Sequence, residues 1–465
     1  MKLSLERIAR LTGAEIVGVE NLLAAEAVGY SIDSRTIRRD ELFFAVRGEK
    51  RDGHEFVPAA LGAGAVAAVA ARGLLHSASR LLLVPDPQVA LEQLAARVRQ
   101  EWGGRVVSIT GSNGKTTTKE IIAALLATRF HVAKTEGNLN NQLGLPLSLL
   151  RMEEGAEVGV FEMGMNHRGE IRALAGIARP EIGVVTNVSA AHLEHFGSVE
   201  EIALAKRELI EGLPADGIAV LNADDERVRA FVDFHRERAP GGHAVTFGIE
   251  QPADIRAVEM EDLGPAGTRF RLEAERVEFT TPLVGRHNLY NTLAGLAVGR
   301  VFGIPLDALR EAVASLAPAS MRGEMMEVGG IWIINDCYNS NPRAAEIMLE
   351  LLAATPGYWR VAVLGEMLEL GAGSEDLHRQ VGRKAARANL GMLVGVSGAA
   401  RFIVAEAVNA GFPDRAAHFF ENSRAAGEFL RTALKAGGVV LFKGSRRVRL
   451  EEALEMVVAA MRPVC

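Results

Sequence analysis

Residues 106–117 read Val-Val-Ser-Ile-Thr-Gly-Ser-Asn-Gly-Lys-Thr-Thr, an apolar run entering a glycine turn that exits on a lysine and two threonines. An apolar helical pattern follows (Ile121, Ile122, Leu125). Strand, glycine turn and helix N-terminus in that order let backbone N–H groups converge on phosphate oxygens, and the helix end adds favourable partial charge. Thr110, Gly111, Ser112, Asn113, Gly114, Lys115, Thr116 and Thr117 are therefore read as a nucleotide cradle. Lys115 would reach the β- and γ-phosphates and the Thr116 hydroxyl would sit on magnesium. The spacing departs from G-x-x-x-x-G-K-[ST], because its first glycine would fall at Ile109. A glycine turn that only caps a helix is the bland alternative, and the strand-before, helix-after setting disfavours it.

Two further strand ends carry chemistry. Glu162 closes the apolar run Val158–Phe161, which puts a carboxylate at the edge where open parallel sheets bind ligands. A hard cation that bridges phosphates takes such an oxygen ligand. A solvated strand-end charge is the competing reading. His192 lies in Asn187-Val-Ser-Ala-Ala-His, after another apolar run, and by itself reads as structural or exposed.

The shortened T-G-x-N-G-K-T loop resembles that of the Mur ligases and folylpolyglutamate synthases rather than that of kinases. Further matches follow in the family's order over nearly the whole chain. Glu162-Met-Gly-Met-Asn-His-Arg-Gly-Glu170 is similar to the family's E-M-G-x-N-x-x-G-E. The resemblance implies Glu162 and His192 as magnesium ligands, with two sites expected, and leaves His195 unassigned. Lys206, otherwise a solvated helix lysine, matches a lysine that is carbamylated in many family members; a carbamate would add the oxygens magnesium needs. Gly285-Arg-His-Asn-Leu-Tyr-Asn291 resembles G-x-H-N-x-x-N near the adenine, although Asn288 could equally cap the helix. Asp336-Cys-Tyr-Asn-Ser-Asn-Pro342 resembles D-x-Y-N-A-N-P and implies Asp336 on the ATP ribose, with Tyr338 and Asn339 beside the substrate. Arg322 is implied as a phosphate contact that arrives on domain closure.

Near the N-terminus, Ser31, Asp33, Ser34 and Arg35 resemble the family's uridine-nucleotide site, where an exposed ion-paired turn is the alternative. Asn138, Asn140 and Asn141 resemble the element that reaches the muramoyl-peptide. Leu364–Leu370 with His378, and Lys443, Ser445 and Arg446, resemble the member that joins D-alanyl-D-alanine to a UDP-N-acetylmuramoyl-tripeptide; Glu366 stands for its usual aspartate. No D-N-P-R motif of the diaminopimelate-adding member occurs. The implied reaction is ATP-dependent, ADP-forming amide synthesis through an acyl phosphate in peptidoglycan precursor synthesis. Its alternatives are the preceding ligase, which adds diaminopimelate or lysine to the dipeptide, and a folylpolyglutamate-synthase-like ligase. Outside that class stand a phosphotransferase acting on a small alcohol and an idle nucleotide-binding scaffold.

These residues need a scaffold. At 465 residues the chain exceeds one ordinary core and suggests roughly three domains. Prolines at Pro85 and Pro87 and the Ala317-Pro-Ala-Ser320 stretch suggest boundaries, giving a small α/β unit at 1–84, a central phosphate-loop unit with a mostly parallel sheet at 85–318 and a Rossmann-like unit at 319–465. Alternation with glycine turns between 253 and 283 predicts antiparallel strands. A net charge of −6 speaks against a nucleic-acid partner held by bulk charge. No apolar run reaches membrane length, the N-terminus lacks a signal-peptide pattern, and Cys337 and Cys465 make neither a disulfide framework nor a zinc site. A cytoplasmic monomer is expected.

Overall fold

The computed structural model describes residues 1–18, 20–48, 50–73, 80–190 and 193–461. His192 and Cys465 lie outside the described residues. Three α/β sheets follow one another along the chain, as the alternating strand and helix patterns require.

The first sheet orders Glu15–Val17, Leu81–Val84, Ala67–Ala71, Glu41–Phe44 and Gly29–Ser31, parallel except at the Glu15–Val17 edge. Helix Pro87–Trp102 leaves it, capped at Asp86, whose carboxylate accepts from the Gln88 and Val89 amides. Leu91, Leu94 and Val98 of this helix are buried in a core that continues from the first sheet into Leu145–Leu150 and Leu174 of the central unit. The two units thus share apolar packing.

The second sheet has nine strands. Its parallel part runs Ile255–Asp262, His243–Gly248, Ile218–Asn222, Ile182–Val185, Arg105–Thr110, Val158–Glu162 and Val132–Lys134. Thr268–Leu272 and Glu278–Thr281 add an antiparallel edge, in the segment where alternation predicts it. Arg105–Thr110 lies between Ile182–Val185 and Val158–Glu162. The phosphate loop therefore leaves the sheet with the ends of both neighbours beside it. Sequence patterning extends the Ile182 strand to Asn187, but its ladder stops at Val185, because Thr186 and Asn187 turn their side chains onto the phosphate loop.

The third sheet orders Glu324–Val328, Ile331–Asp336, Gly438–Lys443, Trp359–Gly365, Met392–Val396 and Ala417–Phe420, parallel except at its first pair. Asp336 and Lys443 end neighbouring strands in register. No helix among the described residues is long and apolar enough to cross a membrane.

Candidate active site

Two glycines set the phosphate loop. Gly111 has φ +154° and Gly114 has φ +82°. A Cβ at Gly111 would overlap Thr186 Oγ1, and one at Gly114 would overlap Asn291 Oδ1. Glycine is required at both by space, and at Gly114 also by the left-handed backbone. Lys115 then begins the helix Lys115–Leu126, and its ammonium donates to the Gly111 carbonyl at 2.9 Å, folding the side chain back over the loop. Thr110 and Gly111 lie behind this turn; the Thr110 hydroxyl points away from the loop and donates to the Met163 carbonyl at 3.0 Å. Thr118, one turn inside the helix, donates to Asn291 Oδ1 at 3.1 Å.

Glu162 is buried at the end of its strand. Its Oε2 accepts from the Thr116 hydroxyl at 2.7 Å and its Oε1 from Asn140 Nδ2 at 2.7 Å. Lys119 is fully buried and donates to the carbonyls of Thr135 at 2.6 Å and Gly137 at 3.4 Å, so the same helix also grips the asparagine-rich loop. Lys206 projects from helix Val199–Glu211 with 2% of its surface exposed and has no hydrogen bond or ion pair among the described residues. Burial, reinforced by Lys115, holds its pKa well below the usual lysine value. Lys115 is lowered too, first by burial and then by Arg322, against the opposing pull of Glu162.

Arg322 comes from the start of the third unit. Its guanidinium lies 3.8 Å from the centroid of the Tyr338 ring, and its Nε is buried without a partner. Buried Lys443 Nζ donates to half-buried Asp336 Oδ2 at 2.5 Å and to the Asn339 carbonyl at 3.0 Å, joining two adjacent strand ends. His287 faces this pair from the central unit. Burial dominates its titration, with Asp336 and Lys443 acting in opposite senses, and takes its pKa down to about 4. Asn288 does not cap its helix: Gly285 holds the N-cap position, and Asn288 Nδ2 donates to the Val284 carbonyl at 2.9 Å while its Oδ1 accepts from Asn291.

One cleft of about 870 Å³ lies between the central and third units. Ser112 to Thr117, Asn138, Asn140, Asn141, Glu162, Lys206, Asn288 and Asn291 line it from the central side. Arg322, Asp336, Tyr338, Asn339, Lys443, Ser445 and Arg446 line it from the third. Ser445 is committed to the fold, its hydroxyl accepting from the Leu368 amide at 3.0 Å, and Arg446 pairs with Glu451 at 2.6 Å. His378 sits outside the cleft, fixed between the Met367 amide and the Ser374 carbonyl. Ser31, Asp33, Ser34 and Arg35 also lie outside it. Asp33 pairs with Arg35 at 2.6 Å to close their turn, beside the contact of Arg151 with the Tyr30 carbonyl at 2.9 Å. Thr186, Asn187 and Ser189, to which the sequence reading assigns no role, bind Asn113; only their place after a strand end could have signalled them. His195 rests against His167 with ring centroids 4.6 Å apart.

The donors present suit a nucleotide and a hard cation. The glycine turn leads into a helix N-terminus with Lys115 beside it in the cleft lining, and an alcohol and a carboxylate oxygen meet at Thr116 and Glu162. Among the described residues no group of three or more His, Cys, Asp or Glu is arranged to hold a metal.

A phosphate loop on a parallel sheet, faced across a cleft by an arginine from a following Rossmann-like unit, defines a three-unit ATP-dependent ligase. The sequence comparisons agree. Residues 26–99 match the Mur ligase family catalytic domain, 109–299 the Mur ligase middle domain and 321–446 the Mur ligase glutamate ligase domain. The chain belongs to the Mur ligase family. It is 35% identical over 431 residues to the UDP-N-acetylmuramoyl-tripeptide--D-alanyl-D-alanine ligase of Bacillus subtilis (strain 168), covering 92% of each chain. To the ligase of that name from Escherichia coli (strain K12) it is 34% identical, covering 98% of each. Its structure is similar to crystalline MurF from Acinetobacter baumannii, with a TM-score of 0.88, 27% identity and 99% of each chain covered. MurF ligase from Thermotoga maritima in complex with ADP gives a TM-score of 0.80 at 33% identity, covering 93% of this chain and 97% of that one.

Proposed function

We propose that this ligase joins D-alanyl-D-alanine to a UDP-N-acetylmuramoyl-tripeptide, forming ADP, phosphate and the pentapeptide precursor of peptidoglycan. The observation that carries the reading is the cleft itself: Lys115 of the central unit and Arg322 of the third line it together, and Arg322 is near enough to lower the lysine's pKa. Near-full-length similarity to ligases of that name supports the choice of substrates.

In the first step the tripeptide's terminal carboxylate attacks the γ-phosphorus of ATP and ADP leaves. The work of the protein is positioning and charge neutralisation. The loop amides and Lys115 hold the β- and γ-phosphates, and Arg322 meets the transferring group from the opposite wall. Magnesium, when bound, would neutralise phosphate charge; Thr116 and Glu162 would hold one ion, and His192 and Lys206 would hold the second. Asn288 and Asn291 place the adenine and Asp336 the ribose. In the second step the dipeptide's amine attacks the acyl carbon, the C–O bond to phosphate breaks, and the departing phosphate takes the bonding electron pair and the amine's proton. Closure of the cleft excludes water from the acyl phosphate. Asn138, Asn140, Asn141, Tyr338, Asn339, Lys443, Ser445 and Arg446 hold the peptide partners, and Ser31, Asp33, Ser34 and Arg35 take the uridine end.

Lys206 acts as its carbamate. Its burial, its lack of a partner and a pKa that burial holds well below the usual lysine value support addition to CO₂, which would form an N–C bond, release one proton and leave two carboxylate oxygens able to hold a cation. One chain supplies both walls of the cleft, so a monomer suffices to complete the site. The test is phosphate release. D-alanyl-D-alanine should stimulate it with the UDP-muramoyl-tripeptide, whereas lysine or diaminopimelate should not do so with the dipeptide. The reverse pattern would assign the chain to the preceding ligation.

A further inference from the structure

Among the described residues a single side-chain hydrogen bond joins the third unit to the phosphate loop: Asn341 Nδ2 donates to Asn113 Oδ1 at 2.7 Å. Both amides are already committed at their other ends. Asn341 Oδ1 accepts from the Ala344 amide at 2.9 Å, capping helix Pro342–Ala354, so only its NH₂ can face outward. Asn113 Nδ2 donates to Ser189 Oγ at 3.1 Å, and its backbone is held by Thr186 and Asn187, which leaves Oδ1 as its one free group. Donor and acceptor are therefore fixed by separate units before they meet. The bond forms only if the third unit is seated on the loop and the loop has the shape that Thr186, Asn187 and Ser189 impose.

We propose that Asn341 is a positioning residue that couples seating of the third unit to the nucleotide-binding shape of the phosphate loop, so that Arg322 reaches the cleft when the loop is formed. This rests on the ligase reading, in which both walls must meet around the reacting groups. Arg322 and Asn341 flank the strand Ile331–Asp336 in the same unit, so whatever seats one seats the other.

Asn341→Asp and Asn341→Ser separate coupling from capping. Asp and Ser cap helices about as well as Asn, so thermal stability should stay near that of the parent. Neither offers an NH₂ to Asn113. Small-angle scattering would follow contraction of the parent and both variants on titration with a non-hydrolysable ATP analogue and magnesium, without acceptor substrates. A neutral hydrogen bond of ordinary strength predicts that half-contraction needs about 3- to 10-fold more analogue in each variant. kcat for phosphate release should fall with it while KM for the UDP-sugar substrate holds. Unchanged half-contraction in both variants overturns the proposal, as does a parent that does not contract. A lowered melting temperature with unchanged contraction also overturns it, leaving Asn341 a helix cap alone. The scattering does not depend on which amine is accepted; a parent that contracts but shows no turnover with D-alanyl-D-alanine would overturn the functional reading instead.

Discussion

Gly114→Ala tests whether the loop's shape, rather than Lys115 alone, holds the nucleotide. The substitution meets two costs in this structure. The backbone at φ +82° is left-handed, which costs an L-residue about 1–2 kcal/mol. The new methyl would also overlap Asn291 Oδ1, forcing that amide away and breaking the 3.1 Å bond it accepts from Thr118, a further loss of about 1 kcal/mol. Together they give about 2–3 kcal/mol, or roughly 30- to 150-fold in an equilibrium constant. Where the cost is felt depends on the free protein. If the loop keeps its shape without nucleotide, the variant melts earlier; if it relaxes, the cost moves into binding. Calorimetric titration with ADP and magnesium, paired with a nucleotide-free melting curve, captures both. A variant with parental affinity and parental melting would refute the cradle as described.

Lys206→Ala should lose at least about 100-fold in turnover with its melting curve intact, on the expectation that a cation ligand is removed. A short carboxylic acid should restore part of the rate, and depleting bicarbonate should slow the parent; near-parental activity in the variant would end the carbamate reading. His287 gives a pH signature. Its folded pKa of about 4 lies below the unfolded value near 6.5, so between those values the unfolded chain binds more protons and stability falls as pH is lowered through that window. His287→Gln should flatten the fall in urea midpoint between pH 7 and pH 5, and an equal fall in parent and variant would contradict it.

The strand ends that carry chemistry were legible because apolar runs finish abruptly on polar residues. Arg105–Thr110 and Val158–Glu162 lie where hydrophobicity alone places them, within a residue at either end. The short Val132–Lys134 strand was not, since three residues give no period to read, and the sheet fixes it through pairing with Val158–Val160. Ile182–Val185 was read two residues too long because an apolar pattern cannot tell a ladder from a turn whose hydroxyl and amide bond a loop 73 residues earlier. Pairings such as Asn341 with Asn113 and Thr118 with Asn291 are invisible for the same reason: they join residues 228 and 173 positions apart. A lysine's burial is equally hidden. Lys119 and Lys206 sit in helices whose polar positions look alike in sequence, and only the fold puts both inside.

The helix Lys115–Leu126 shows why so much of the site depends on one element. Thr116 holds the carboxylate of Glu162, Thr118 holds Asn291 of the helix assigned to the adenine, and Lys119 holds the carbonyls from which the Asn138–Asn141 loop departs. Asn140 of that loop returns to Glu162, so helix, loop and strand end form a closed ring of contacts. Moving any member strains the others, because each polar group in the ring is buried or half-buried and a broken bond there leaves a group unsatisfied. On the proposed roles, the ring would link the nucleotide, the cation ligand and the peptide loop through a helix that contacts all three. On those roles a nucleotide that tightens the N-terminus of this helix would also fix the loop proposed to receive the peptide, and the Asn341–Asn113 bond would tie the third unit to the same geometry.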